Sequence, residues 1–399
     1  MDPKPNPRAP RPPMPATVWV LGLVSLLMDL SSEIYHALLP LFMTVTLGLP
    51  VAAVGAIDGI AEATASMTKL VSGRLSDRSR RRKPLILFGY GLAGVSKLLF
   101  PIANGALPVL GARFADRIGK GIRGAPRDAM IVDQTPPEIR GRAFGLRQSL
   151  DTVGAFLGPL AAIGLMYWLA NDIRAVFWIA AIPALLSFLF AWIALRETRD
   201  HLPENTPAPR WAAAWRLGAG FWWLVAVAFI FTLARFSESF LILRTAGQGL
   251  PIALAPLVLV AMNLAFGLFA YPAGAAADRF PASRLMLAGV VSLIAADLML
   301  AFSSGIAMSF AGIVLWGLHM ALTQGLLSRL VAARAPAELR ATAFGIFHFA
   351  SGIALLLASV GAGVLWDQAG PAATFLAGAG FAALTGLILI AAPNRFNLA

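Results

Sequence analysis

The chain contains no cysteine in 399 residues. That absence removes disulfides, thiolate metal sites and cysteine nucleophiles together. Charge is scarce as well: Asp, Glu, Lys and Arg make up 13% of the chain, where a soluble globular protein carries about a quarter. The shortage excludes a soluble enzyme, a secreted module and a disordered scaffold. Neither a glycine loop followed by Lys-Ser/Thr nor a hydrolytic triad spacing is present, so ATP-driven chemistry and membrane hydrolysis have no motif to stand on. The chain reads as a non-enzyme with no resident cofactor.

What fills the sequence is apolar. Hydrophobic residues make up 58% of the chain and the mean hydropathy is +0.74, values that belong in a bilayer. A spanning helix needs roughly 20 mostly apolar residues, and such segments recur at 17–45, 51–74, 84–104, 106–128, 140–168, 173–195, 219–244, 252–276, 283–303, 306–330, 339–366 and 371–392. The expected fold class is therefore an all-α integral membrane protein with twelve transmembrane helices. The net charge of +12 would suggest nucleic acid in a soluble protein, but most basic residues sit in short connections. Arg74, Arg78, Arg80 to Lys83, Arg140, Arg142, Arg196, Arg199, Arg210, Arg216, Arg279, Arg284, Arg334 and Arg340 fall on one side, and Arg174 and Arg244 on the other. By the positive-inside rule the basic side, with both termini, faces the cytoplasm of an inner membrane.

The expected organisation is a cytoplasmic tail over 1–16, a six-helix half over 17–196, a Pro-containing linker over 197–217, a second half over 218–394 and a short tail over 395–399. The halves are repeats. Pro137 to Gly145, with Glu138, Arg140 and Phe144, matches Ala337 to Gly345, with Glu338, Arg340 and Phe344, at an offset of 200. Gly73-Arg74-Leu75-Ser76-Asp77-Arg78 matches Gly274 to Arg279, including Asp278, at 201, and Ser32-Glu33 matches Ser237-Glu238 at 205. Shared composition explains common Ala and Gly but not Asp-Arg and Glu-x-Arg in register.

The segment Gly73 to Lys83 resembles the loop motif between the second and third helices of the major facilitator superfamily, with Arg80 where that family usually has Gly. Gly154-Ala155-Phe156-Leu157-Gly158-Pro159 resembles the fifth-helix pattern of its proton-coupled antiporters, although Ala162 and Ile163 replace the two glycines that end it. The resemblance implies two pseudo-symmetric six-helix halves that alternate access around a midplane site, and transport by a monomer. It also implies a cytoplasmic gate formed by Gly73, Asp77, Arg78, Asp278, Arg279, Glu138, Arg140, Glu338 and Arg340. In that gate Asp77 and Asp278 would each meet a helix N-terminus of the opposite half, a contact worth about 0.3–1 kcal/mol.

Ionisable groups at bilayer depth cost about 2.5–3.5 kcal/mol each on insertion scales and face a cavity or a partner. Asp29 and Glu33 are spaced i,i+4 on the first span, and Asp58 and Glu62 repeat the device on the second. Arg113, Asp116, Arg117 and Lys120 share one face of the fourth, and Arg147 and Asp151 lie on the fifth. Acids and bases at similar depth predict an ion-pair network in the first half. One reading makes it a structural staple; the other lets a carboxylate among Asp29, Glu33, Asp58, Glu62, Asp116 and Asp151 exchange its partner for a proton. In the second half Lys97 is replaced by Asp297, Arg113 by Ile313 and Arg117 by Gly317. There a softer substrate wall is expected from Arg235, Glu238, Asn263, Trp316, His319, Gln324 and His348.

These readings converge on proton-coupled export of a small organic solute. Uptake of an anionic metabolite on the basic fourth-span face is the alternative, with metal-ion transport and a non-transporting receptor behind it. No metal site is assigned, because the histidines are not clustered with ligand spacing. The expected partners are a small-molecule substrate, protons and the lipid bilayer, and no nucleic acid.

Overall fold

The computed structural model describes residues 12–79, 82–197, 214, 216–277, 279–336 and 339–396. Regular structure among them is entirely helical: α1 (Ala16–Leu41), α2 (Val51–Ser79), α3 (Lys83–Lys97), α4 (Ala106–Gln134), α5 (Arg140–Trp168), α6 (Ile173–Ala194), α7 (Ala219–Leu233), α8 (Ser239–Gly247), α9 (Leu257–Ala277), α10 (Ala282–Ala301), α11 (Ile306–Arg334), α12 (Arg340–Ala369), α13 (Pro371–Ala391) and the short α14 (Pro393–Phe396). Pro40 lies inside α1, and the helix then widens into a π-turn over Phe42–Thr46, where the Thr44 hydroxyl donates to the Pro40 carbonyl at 2.9 Å.

Eleven expected spans correspond to one main helix each; the seventh, 219–244, does not. It is two helices, α7 and α8, separated by Ala234–Glu238. Among the described residues eight helical stretches are long and apolar enough to cross a membrane by length and composition. The remaining crossings have physical reasons to fall short: α2 and α4 carry the ionisable residues just described, while α3 and α7 have 15 residues each.

The first six helices pack on one another, α1 against α5 and α6 and α4 against α2 and α3. Helices α7 to α13 form a second cluster in which α11 lies against α9 and α10, and α13 against α10 and α12. The clusters meet where α2 crosses α12, α1 touches α8 and α5 touches α9. At the α2–α12 crossing backbones approach without side chains between them. A Cβ on Gly55 would lie 2.1 Å from the Ser359 carbonyl oxygen, and one on Gly363 would lie 2.7 Å from Ala52 Cα.

These contacts are unevenly placed along the bundle. Asp367, near the end of α12, accepts hydrogen bonds from the backbone amides of Val51 (3.1 Å) and Ala52 (2.8 Å), capping the exposed N-terminus of α2 in the other cluster. Gly55 and Gly59 then meet Ser359 and Leu356, and the crossing reaches Gly352 and Ser66 in mid-helix. The clusters are thus joined at the end where α2 begins, opposite the end where α1 begins.

Candidate functional site

Between the clusters lies a cavity of about 480 Å³. The first cluster contributes His36, Asp58, Glu62, Ser66 and Arg113 to its wall. Arg235, Glu238, Trp316, Gln324 and His348 come from the second, joined by Phe236 and Phe347. Asn263 and His319, expected on this wall, are not part of it. Asn263 sits elsewhere on α9, and His319 is fully buried behind Trp316 with ring centroids 5.2 Å apart.

Helical periodicity builds the charged wall. Asp58 and Glu62 rise one turn apart on α2 and face Arg113 and Arg117, one turn apart on α4. Arg113 Nη2 lies 3.5 Å from Asp58 Oδ1, and Arg117 Nη1 lies 3.1 Å from Glu62 Oε1. Behind this ladder Asp116 bridges Lys97 Nζ at 3.3 Å and Arg117 Nε at 3.7 Å. Lys97 also stands over the Tyr35 ring, 4.9 Å from its centroid. Breaking a buried pair by removing one partner costs about 3–5 kcal/mol, so the back of the network is held firmly. Its front is different: the Glu62 side chain is 40% exposed, and Lys120 is exposed and makes no ion pair within 4 Å among the described residues.

On α1, His36 Nδ1 lies 3.6 Å from Glu33 Oε2. Asp29 is partly exposed and has no hydrogen-bond partner among the described residues; Lys120, Asp151, Arg123 and Glu33 are the charges around it. The glycines of the fifth-span motif seat α5 directly against these acids. A Cβ on Gly154 would lie 3.2 Å from Asp29 Cβ, and one on Gly158 would lie 2.5 Å from Glu33 Cβ. Further along, Arg147 pairs with Asp151 and reaches Asp128 at 3.2 Å. Arg127 joins Asp128 at 3.2 Å and donates to Ser25 Oγ at 2.9 Å, so Asp151 belongs to a separate network.

The second cluster enters the site through the interrupted segment. Ser237 and Ser239 donate to Asp58 Oδ2 at 2.7 and 2.5 Å, making Asp58 the acceptor of groups from both clusters. Ser237 is fixed in turn by its amide on Ser359 Oγ at 3.2 Å and by accepting from the Ser239 amide at 3.2 Å. Arg235 and Glu238 flank these serines on the cavity wall, and Arg235 Nε is buried without a hydrogen-bond partner.

Sequence reasoning missed Ser239, Ser359 and Asp367. Asp367 reads as a loop charge beside Gly370-Pro371, and only its distance from Val51 in space gives it a role. Of the expected gate, Glu138 and Arg140 lie exposed at the start of α5, with Arg140 Nε donating to the Thr135 carbonyl at 3.3 Å, and Arg279 is exposed. Asp278, Glu338 and the side chains of Gly73, Asp77, Arg78 and Arg340 lie outside the described residues.

Comparison with known proteins agrees with this architecture. An uncharacterised MFS-type transporter of Methanocaldococcus jannaschii is 28% identical over 382 residues, covering 94% of each chain. An uncharacterised protein of Mycobacterium tuberculosis is 31% identical over 357 residues, covering 88% of this chain and 86% of its own. The crystal structure of the nucleoside transporter NupG superposes with a TM-score of 0.80 at 14% identity, covering 94% of this chain and 99% of that one. At that identity the likeness is one of fold. The profile of the Major Facilitator Superfamily matches residues 21–256 and 245–397, and the chain belongs to that family of membrane transporters.

Proposed function

We propose that the protein is a secondary transporter that exports a small organic solute in exchange for protons, by alternating access of two halves around the central cavity. The observation that carries this reading is the placement of Asp58. It accepts from Arg113 in its own half and from Ser237 and Ser239 in the other, so a change in its charge acts directly on how the halves hold together. Glu33, Asp29 and Glu62 are the further proton-coupling groups, because they are partly exposed and have basic neighbours in Lys120, Arg117 and His36.

Loop charge places the termini in the cytoplasm of the inner membrane. On that assignment we read the end joined by Asp367 and Val51 as external and the conformation as closed on that side. The cavity's acids suit a cationic or neutral exported solute, with Trp316, Phe236 and Phe347 supplying apolar contact. Uptake of an anion is the second reading, favoured by the unpaired Lys120 and by Arg235 Nε.

The test uses purified protein in lipid vesicles loaded with a mixture of labelled metabolites and lipophilic cations. An imposed pH gradient is expected to drive movement of one solute class against its concentration. Glu33→Gln should abolish the dependence on the gradient while leaving solute exchange. Movement of an anion accompanied by protons in the same direction would replace the export reading with uptake.

A further inference from the structure

The second half holds a buried acid that the ion-pair networks do not use. Asp297, on α10, has 0% exposure, and both carboxyl oxygens lack a hydrogen-bond partner. Among the described residues no other acid has both oxygens in that condition. A solitary carboxylate in such a place would carry a desolvation penalty of several kcal/mol with nothing to offset it, whereas a neutral carboxyl would not.

The internal repeat shows how the situation arises. At the offset of 200, Asp297 occupies the position of Lys97, and the partner of Lys97, Asp116, is replaced by Trp316. In the first half this position is an ion pair at 3.3 Å. In the second, one member has changed sign and the other has lost its charge. The elements around Asp297 supply no substitute. Helix α13 has no titratable side chain and offers Gly378, whose Cβ would lie 2.8 Å from Asp297 Oδ2. Helix α11 offers His319, which is fully buried against Trp316. The segment between α7 and α8 presents the Ala234 carbonyl and the Phe236 ring, 3.2 and 3.1 Å from that same Cβ position. Its charged members Arg235 and Glu238 line the cavity, and no ion pair within 4 Å joins either one to Asp297. No charged group on any of these elements contributes to the surroundings of Asp297.

Phe236 belongs both to the cavity wall and to the surroundings of Asp297, and Trp316 packs on it with centroids 5.4 Å apart. Two aromatic rings therefore separate the acid from the water of the cavity. Phe236 is attached where the helix is interrupted, next to the serines that hold Asp58, and Trp316 is carried by α11.

We propose that Asp297 is a proton-binding site of the second half, occupied in this conformation and closed off from the cavity by Phe236 and Trp316. Movement of the 234–238 segment when the halves separate lifts Phe236 and opens the acid to water, so that proton release is tied to the same segment that releases Asp58. The inference rests on the transport reading for its place in a cycle, but not for the proton itself, which is measurable without any substrate.

The test is infrared difference spectroscopy of the purified protein in lipid at neutral pH. The carbonyl stretch of a protonated carboxyl is expected in the wild type and absent in Asp297→Asn. With aspartate labelled at its side-chain carboxyl carbon, the wild-type band should shift, which assigns it to aspartate even if the variant does not fold. In Phe236→Ala the band should titrate away as pH rises through the range where the wild type keeps it. Absence of any aspartate carboxyl band in the wild type at neutral pH overturns the proposal, as does a band unchanged in folded Asp297→Asn. Proton-coupled transport could fail while this band is present, so the two readings fail separately.

Discussion

The hydroxyl of Ser239 lies 2.5 Å from Asp58 Oδ2, joining a serine of the second half to a carboxylate of the first. Hydrogen bonds to a charged acceptor contribute about 1.5–3 kcal/mol. This one exists only while the halves are together, so its loss is expected to act on the balance of conformations more than on folding. Ser239→Ala should leave the melting temperature within a few degrees of wild type. Spin labels placed across the α2–α12 crossing should show a larger separated population, by roughly tenfold, read by pulsed electron resonance.

Asp367 makes the same kind of contact at the end of the crossing, and here the acceptor is a cap on a helix of the other half. Removing a capping side chain costs about 0.5–2 kcal/mol. Asp367→Ala should therefore shift the ratio of closed to open states by about two- to thirtyfold. The rate at which a pair of introduced cysteines becomes linked there would report it, and the natural absence of cysteine makes the background clean.

Lys97 and Asp116 form the buried back of the network, with side chains 2% and 5% exposed. Lys97→Met should destabilise the protein by about 3–5 kcal/mol, because it deprives the Asp116 carboxylate of one of its two basic neighbours. Adding Asp116→Asn should recover most of that loss, as measured by thermal unfolding in detergent. A double variant no more stable than the single would mean that the pair is not coupled.

Gly158 allows α5 to lie on Glu33, where a Cβ would come within 2.5 Å of the Glu33 Cβ and 3.0 Å of the Leu30 carbonyl. Overpacking of this kind costs about 1–3 kcal/mol. Gly158→Ala should lower stability and displace Glu33, altering the pH dependence of transport. Gly164→Ala, six residues on with nothing within 4 Å of its Cβ position, should do neither.

Much of this arrangement was readable before any coordinates. The i,i+4 acids at 58 and 62 and the basic face at 113 and 117 are complementary by spacing alone, and the structure brings them together rung by rung. The interruption at Ala234–Glu238 was not readable. The run 219–244 contains no proline, and its only glycine, Gly220, lies in its second position, so nothing local stops a helix. What supports the break is tertiary: Ser237 bonded to Asp58 and Ser359, groups about 180 and 120 residues away in sequence. Asp297 was visible as the counterpart of Lys97, but its isolation depends on Trp316, Gly378 and Phe236 meeting around it. Asp367 gives no signal of its own, since an acid near a helix end is ordinary and only its direct contact with α2 of the other half makes it a clasp.

The central claim is that the two halves alternate around the cavity, closed here where Asp367 meets α2. It is tested most directly by linking Val51→Cys to Asp367→Cys, positions joined in this structure by the Asp367 carboxylate on the Val51 amide at 3.1 Å, and measuring transport before and after reduction. The account predicts rapid disulfide formation, transport abolished while the link is intact, and full recovery on reduction. Unimpaired transport with the link in place would contradict it.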